Sequence, residues 1–451
     1  MSRTVSQQML NKQIVSKEQL NEASNRQRMH GGRLGQNLVA LGYISEDQLD
    51  SFFKRTPPAP QTVEETGLDL NFIADLSLKH LVSMGEFRLG DLSKRVGLPI
   101  NILDEAIELL RREKLIEVRG ASQFVKTSFN FVATATGKRI AGELMEICRY
   151  VGPAPVVLED YKEMVENQSI QNITVDEVVV QAAFSHIVIS DHMVNRLGPA
   201  ISSGAPMFIY GPAGNGKTTI AETIGQVLPG TVFVPHALYV GGQIITVFDP
   251  VNHVVVAELP DDDTAPDSID QRWVRVQRPI VMAGGELTLK MLDLGYDPIA
   301  RFYQAPLQLK ANNGLFIIDD FGRQQVEPQQ LLNRWIVPLE RRTDFLALQS
   351  GMKFEIPFDQ LIIFSTNIEP KKLVDEAFLR RIRYKVLIDH PSAPEFEEIF
   401  RRVAESNGID FSKETFDFLV DNFYKGLDVK FTACQPRDLI DQIIDAAHYH
   451  G

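Results

Sequence analysis

The stretch PMFIYGPAGNGKTT, Pro206 to Thr219, decides the fold. Pro206 to Tyr210 is a short run of strand type, closed by a glycine-rich turn that opens a helix. The spacing GxxxxGK[ST] is met by Gly211, Gly216, Lys217 and Thr218. Glycines at those places let backbone N–H groups turn inward around phosphate oxygens, and a helix start adds roughly half a positive charge. The candidate phosphate-binding residues are therefore Gly211, Pro212, Ala213, Gly214, Asn215, Gly216, Lys217, Thr218 and Thr219. Lys217 is expected to reach terminal phosphates, and the Thr218 hydroxyl to serve a magnesium ion.

About a hundred residues on, GLFIIDDFGR (Gly314–Arg323) sets two carboxylates at the end of a second apolar strand. Asp319 is the expected magnesium partner, and Asp320 stands where a base would polarise an attacking water. Asp is one methylene shorter than Glu, so the sequence supports nucleotide binding more firmly than turnover. The strand LIIFST (Leu361–Thr366) then ends at the polar Asn367.

In this order the motifs resemble those of the AAA+ ATPases, over about residues 180 to 451. The approach LKANNGLFIIDD is similar to that of the MoxR-like and enhancer-binding branches. The resemblance implies that Asn367 is the residue called sensor 1. It implies further that Arg380 and Arg381, in DEAFLRRIRYKV, stand at the position of an arginine finger serving a neighbouring subunit. Arg437, in CQPRDLIDQ, matches sensor 2 of a helical lid. It also implies ATP and magnesium as cofactors, self-association into a ring, expected to be a hexamer, and a protein target. The GAFTGA loop of enhancer-binding activators is missing. LYVGG (Leu238–Gly242) and MAGGELTLKML (Met282–Leu292) are each readable as a pore loop or as a structural hairpin.

Working outward, the 451 residues point to about three domains at roughly 150 residues each. An apolar fraction of 44% beside 23% charged residues is that of a folded, water-exposed chain. Its two cysteines, Cys148 and Cys434, exclude a disulfide framework and a zinc ribbon. No apolar run approaches the roughly 20 residues that span a bilayer, and the polar start lacks a signal-peptide core, so a cytoplasmic location without membrane insertion is expected. The net charge of −13 disfavours broad attraction to nucleic acid.

Residues 1–53 read as short helices with a weak repeat at a shift of 29, Met9–Leu20 against Leu38–Leu49. A serine and a nearby acidic residue open the helical run in each copy, as at an N-cap. Arg33, Leu34, Gly35, Leu38 and Gly42 match a motif of the N-terminal domain of type II secretion and type IV pilus assembly ATPases. That resemblance implies a candidate cyclic di-GMP site, with protein docking as the alternative, and a link to bacterial envelope appendages. The earlier copy lacks the RLG. Residues 54–67 are expected to be an extended linker. Residues 68–150 read as three amphipathic helices and a strand hairpin, a winged helix whose third helix is too acidic for ordinary groove reading. A connector (151–179), an α/β core with a parallel sheet (180–391) and a helical lid (392–451) complete a multidomain α/β expectation.

Overall fold

The computed structural model describes residues 9, 14–30, 34–45, 56–121, 129–173, 175–256 and 269–450. The chain divides into two units, residues 1–58 and 59–451. Among the described residues, no helix is long and apolar enough to cross a membrane.

The first unit has helices at Lys17–His30 and Leu34–Ala40. Ser16 and Gln19 cap the first one reciprocally, the Ser16 N–H donating to the Gln19 side chain at 2.8 Å and the Gln19 N–H to the Ser16 hydroxyl at 3.2 Å. The capping partner is thus the glutamine and not the neighbouring acid. Met9, Val15, Leu20, Ala23, Leu34, Leu38 and Ile44 form the core. The repeat is visible in it, since Met9 and Leu38, and Val15 and Ile44, are equivalent positions that are all buried. Gly42 ends the second helix at φ +73°, a left-handed conformation that suits glycine. Arg33 lies outside the described residues.

In the second unit the parallel sheet consists of β1 (Met207–Tyr210), β2 (Ile280–Ala283), β3 (Leu315–Ile318), β4 (Leu361–Thr366) and β5 (Tyr384–Leu387). Its order is β2-β3-β4-β1-β5, all neighbours parallel. Both faces are covered, which is why the strands are continuous apolar runs. Alternate residues go to opposite faces: Met207, Ile209, Ile317 and Ile363 join one core, while Phe208, Phe316, Ile318 and Phe364 join another around Trp335. The phosphate-loop strand and the acidic strand are not adjacent. β4 lies between them and so delivers its own end residue between theirs.

LKANNGLF is a structural clamp. A Cβ on Gly314 would lie 2.1 Å from the Pro279 carbonyl. Asn312 and Asn313 bind Tyr161, the Val165 carbonyl and Asp359, tying helix Leu158–Asn167 to the start of β3.

Between β1 and β3 the chain also builds antiparallel structure. LYVGG belongs to a hairpin, Ala237–Val240 with Gln243–Thr246, turned through Gly241 and Gly242 at φ +55° and +77°, as a two-residue hairpin turn requires. The hairpin reading of that segment therefore holds. In Met282–Leu292, Ala283, Leu287 and Leu292 are buried in the core under the sheet.

Residues 70–147 form helices Leu70–Met84, Leu89–Val96, Ile100–Arg112 and Ala135–Ile147, with a three-stranded antiparallel sheet in which Phe129–Ala133 lies between Glu86–Arg88 and Ile116–Ala121. Their core continues into the hairpin through Ala237 and Ile244. The segment expected to be an extended linker does not stay extended to Gly67. Glu64–Thr66 is a helical turn, and Thr66 is buried, because the Arg272 guanidinium donates to its carbonyl at 3.1 Å. Residues 392–451 carry helices Ala393–Ser406, Lys413–Leu419 and Gln435–His450, packed on Phe396, Phe416, Val420 and Tyr424.

Candidate functional site

The glycine-rich turn leaves β1 and enters helix α1 (Lys217–Val227) with Gly211, Gly214 and Gly216 at φ +147°, +78° and +77°. These are backbone shapes that side chains oppose, so the glycines define the loop's curvature. Gly211 is further constrained, because a Cβ there would meet the Ile388 carbonyl at 1.9 Å. Its N–H donates to the Thr366 carbonyl at 3.2 Å, so this amide anchors the loop to β4.

Lys217 is buried, and its ammonium donates to the Pro212 carbonyl at 2.9 Å and to the Asn367 side-chain oxygen at 2.5 Å. Burial lowers its pKa, while the Asp319 and Asp320 carboxylates act in the opposite direction. The Thr218 hydroxyl donates to the Asp319 carboxylate at 2.8 Å. Asn367 in turn donates its amide to Asp320 at 3.3 Å. The start of α1 and the ends of β3 and β4 thus meet in two sets of contacts, Thr218 with Asp319 and Lys217 through Asn367 to Asp320. Asp320 itself has φ +49°, a left-handed turn that bends the chain away directly after the strand.

A cleft of about 620 Å³ opens beside these groups. Ala213 to Ile220, Asp319, Asp320 and Asn367 form its phosphate end, and Arg437 lines it from the helical unit 392–451. The volume falls within the roughly 300–1,000 Å³ of small-molecule sites. Arg380 and Arg381 are not among its described lining residues. Arg380 is 78% exposed and pairs loosely with Glu376 at 3.7 Å, whereas Arg381 binds Glu340 at 2.5 Å.

The far end of the cleft carries no motif in the sequence. His186, Ile187 and Val188 line it from the segment after helix Glu177–Phe184, and Ile399, Arg402 and Val403 line it from helix Ala393–Ser406. Arg402 joins the two sides by donating to the Ser185 carbonyl at 3.0 Å. The IVIS run (Ile187–Ser190) is an available signal, an apolar patch between helices Glu177–Phe184 and Asp191–Ser203 with no place in the sheet. The candidate cyclic di-GMP residues are placed differently: Leu34, Gly35 and Leu38 are buried within the first unit, and Gly42 closes its second helix.

Residues 392–451 match a family described as "Domain of unknown function (DUF8689)". No curated protein sequence matches the chain. Among solved structures, a model of the complex between magnesium chelatase subunits BchI and BchD is similar at 16% identity. That alignment covers 62% of this chain and 75% of the other, with a TM-score of 0.30. NtrX from Brucella abortus aligns at 13% identity over 63% of this chain and 56% of its own, with a TM-score of 0.34. The same protein with ADP aligns at 15% over 68% and 53%, with a TM-score of 0.30. The chain therefore matches only a little over half the length of NtrX. These superpositions are loose, and the site stands on its own geometry. That geometry is a multidomain α/β chain in which a phosphate loop, an acidic strand end and a C-terminal helical unit surround one cleft.

Proposed function

We propose that this chain is an ATP-dependent machine of the AAA+ kind, which binds ATP with magnesium in the cleft, hydrolyses it, and uses the cycle to remodel or regulate a protein partner. The observation that carries this reading is the 2.8 Å hydrogen bond between Thr218 and Asp319, residues 101 positions apart. A hydroxyl at a helix start and a carboxylate at a strand end are the oxygen donors that suit a magnesium ion beside phosphates. The left-handed glycines of the loop fit the same ligand, since they leave no Cβ on the curve that wraps a phosphate.

In this reading Thr218 and Asp319 would hold the ion, which would supply positive charge against the phosphates. Lys217 exchanges its protein acceptors for phosphate oxygens. Asn367 holds Asp320, and Asp320 takes the proton of the attacking water. Arg437 adds positive charge from the lid. The position of Arg380 and Arg381 away from the chain's own cleft supports their action on a neighbouring copy, as in a ring of six. The order of helices and strands in residues 70–147 supports a winged helix there, and its acidic third helix favours a protein contact over DNA. We assign the first unit an input role, through cyclic di-GMP or a protein partner with an envelope-appendage link, in a cytoplasmic protein. Calorimetry of the full chain with cyclic di-GMP decides between the two inputs.

The test is ATPase activity of the wild type beside Lys217→Ala and Asp320→Asn. The expected result is loss of nucleotide binding in the first. The second should lose about 10²–10⁴ in turnover with binding retained, the range for a general base. Turnover that is absent in the wild type, or unchanged by both substitutions, rules out the motor. Wild-type binding without turnover would instead support a nucleotide-gated scaffold, the reading favoured by the short Asp320 side chain.

A further inference from the structure

The C-terminal helical unit is bonded to the backbone of the phosphate loop. The Cys434 N–H donates to the Gly214 carbonyl at 2.9 Å, and the Ala433 N–H donates to the Asn215 side-chain oxygen at 3.1 Å. The turn that supplies both donors, Thr432–Cys434, is fastened to helix Gln435–His450 by the Thr432 N–H donating to the Gln435 side chain at 2.9 Å. The turn sits close, because a Cβ on Gly214 would lie 2.7 Å from the Cys434 sulfur. Asn215 is 5% exposed.

A trans peptide unit is planar, with its C=O and N–H on opposite sides. A Gly214 carbonyl drawn toward the helical unit therefore turns the Asn215 N–H the other way, toward the side of the loop that receives phosphate oxygens. The Asn215 side chain holds the same turn at a second point. The motif GxxxxGK leaves this position open in residue type, so the backbone amide is its general contribution. The bond from its side chain to Ala433 is this chain's own addition.

We propose that Asn215 is a positioning residue that makes the seating of the helical unit and the orientation of the phosphate-binding amides a single equilibrium. The inference rests on the nucleotide reading of the cleft. Coupling of this kind is reciprocal: a seated helical unit tightens phosphate binding, and phosphate binding seats the helical unit by the same factor.

The experiment uses the full chain, with ATP affinity by titration and amide exchange over residues 430–440 with and without ATP. Asn215→Ala and Ala433→Pro each remove one end of the same bond. Each is expected to weaken ATP binding about tenfold, the scale of one net hydrogen bond. Each should also speed exchange in the turn before any nucleotide is added, and the double variant should be no weaker than the weaker single. ATP should slow exchange at Cys434 and Gln435 in the wild type and do so less in Asn215→Ala. Effects that multiply in the double variant would overturn the proposal, as would an Asn215→Ala affinity loss with exchange in the turn unchanged. A wild type that binds no ATP would instead remove the nucleotide reading, while the exchange comparison without nucleotide still decides the latch.

Discussion

Lys217 and Asn367 hold each other across the top of the parallel sheet, ammonium to amide oxygen, at 2.5 Å. The asparagine uses its other end on Asp320 at 3.3 Å, so one side chain links the phosphate-binding cation to the candidate base. The link exists because β4 inserts between the strands that carry the other two groups. Asn367→Ala removes the support of Asp320 while leaving the loop's amides in place. It should lower kcat by about 10²–10³, the effect of losing one positioned donor, with KM nearly unchanged. Steady-state kinetics beside ADP titration check this. A matching loss of ADP affinity would show that Asn367 serves chiefly to hold Lys217.

Two glycines of the loop should respond very differently to one methyl group. Gly216 has φ +77° with no atom near a new Cβ, so Gly216→Ala should cost about 1–2 kcal/mol of backbone strain. Gly211→Ala adds a collision with the Ile388 carbonyl, from a residue whose N–H donates to the Tyr210 carbonyl at 2.8 Å. That register between β1 and β5 would have to shift, and a loss of more than about 3 kcal/mol is expected. Urea unfolding of the two variants compares them, and similar costs would mean that the chain relaxes around Ile388 freely.

The phosphate end of the site was legible because it is local. Glycine spacing, a following lysine and threonine, and a strand ending in carboxylates each encode their backbone geometry within a few residues. Asn367 is legible only through the family resemblance, since a polar residue after a strand such as LIIFST is by itself ordinary loop. The opposite end was not legible because His186–Val188 and Ile399–Val403 meet only through the seating of the helical unit, over 200 positions apart, with no fixed spacing. The expected linker failed in its second half for a similar reason. Thr62 to Gly67 reads as polar chain, and what folds it is Arg272, brought to it by the insertion between β1 and β3.

That arginine marks the seam between residues 70–147 and the antiparallel structure of the insertion. Arg272 and Asp270 pair at 2.8 Å with each side chain only 3% exposed, and Arg272 also donates to the Thr66 carbonyl. Arg272→Met would leave the Asp270 charge buried and unpaired, costing about 3–5 kcal/mol. Adding Asp270→Asn removes the stranded charge and should recover a large part of the loss. Denaturant unfolding of both variants is the check, and a double variant no better than the single would show that the lost backbone bonds, not the charge, dominate.

His253 makes the chain's stability depend on pH. Its Nδ1 accepts from the Asp249 N–H at 2.9 Å, which leaves Nε2 as the protonated nitrogen, donating to the Lys310 carbonyl at 2.9 Å. Both nitrogens are therefore committed in the neutral ring, and protonating Nδ1 would break the first bond. Burial lowers the His253 pKa below the ordinary 6.5, against the opposing effects of the Lys310 carbonyl and Asp249. Burial also lowers His80 and His236. As pH falls through 6.5 the unfolded chain takes up protons that the folded chain resists, so stability is fully present above that value and lost below it. Tm should fall between about pH 7.5 and about pH 5.5, the range in which histidine titrates. His253→Gln should have a lower Tm at the upper pH and a shallower fall below it, because one of the three resisting rings is gone. Calorimetric scans across that range test the claim, and a wild-type Tm that stays level or rises on acidification would contradict the neutral ring.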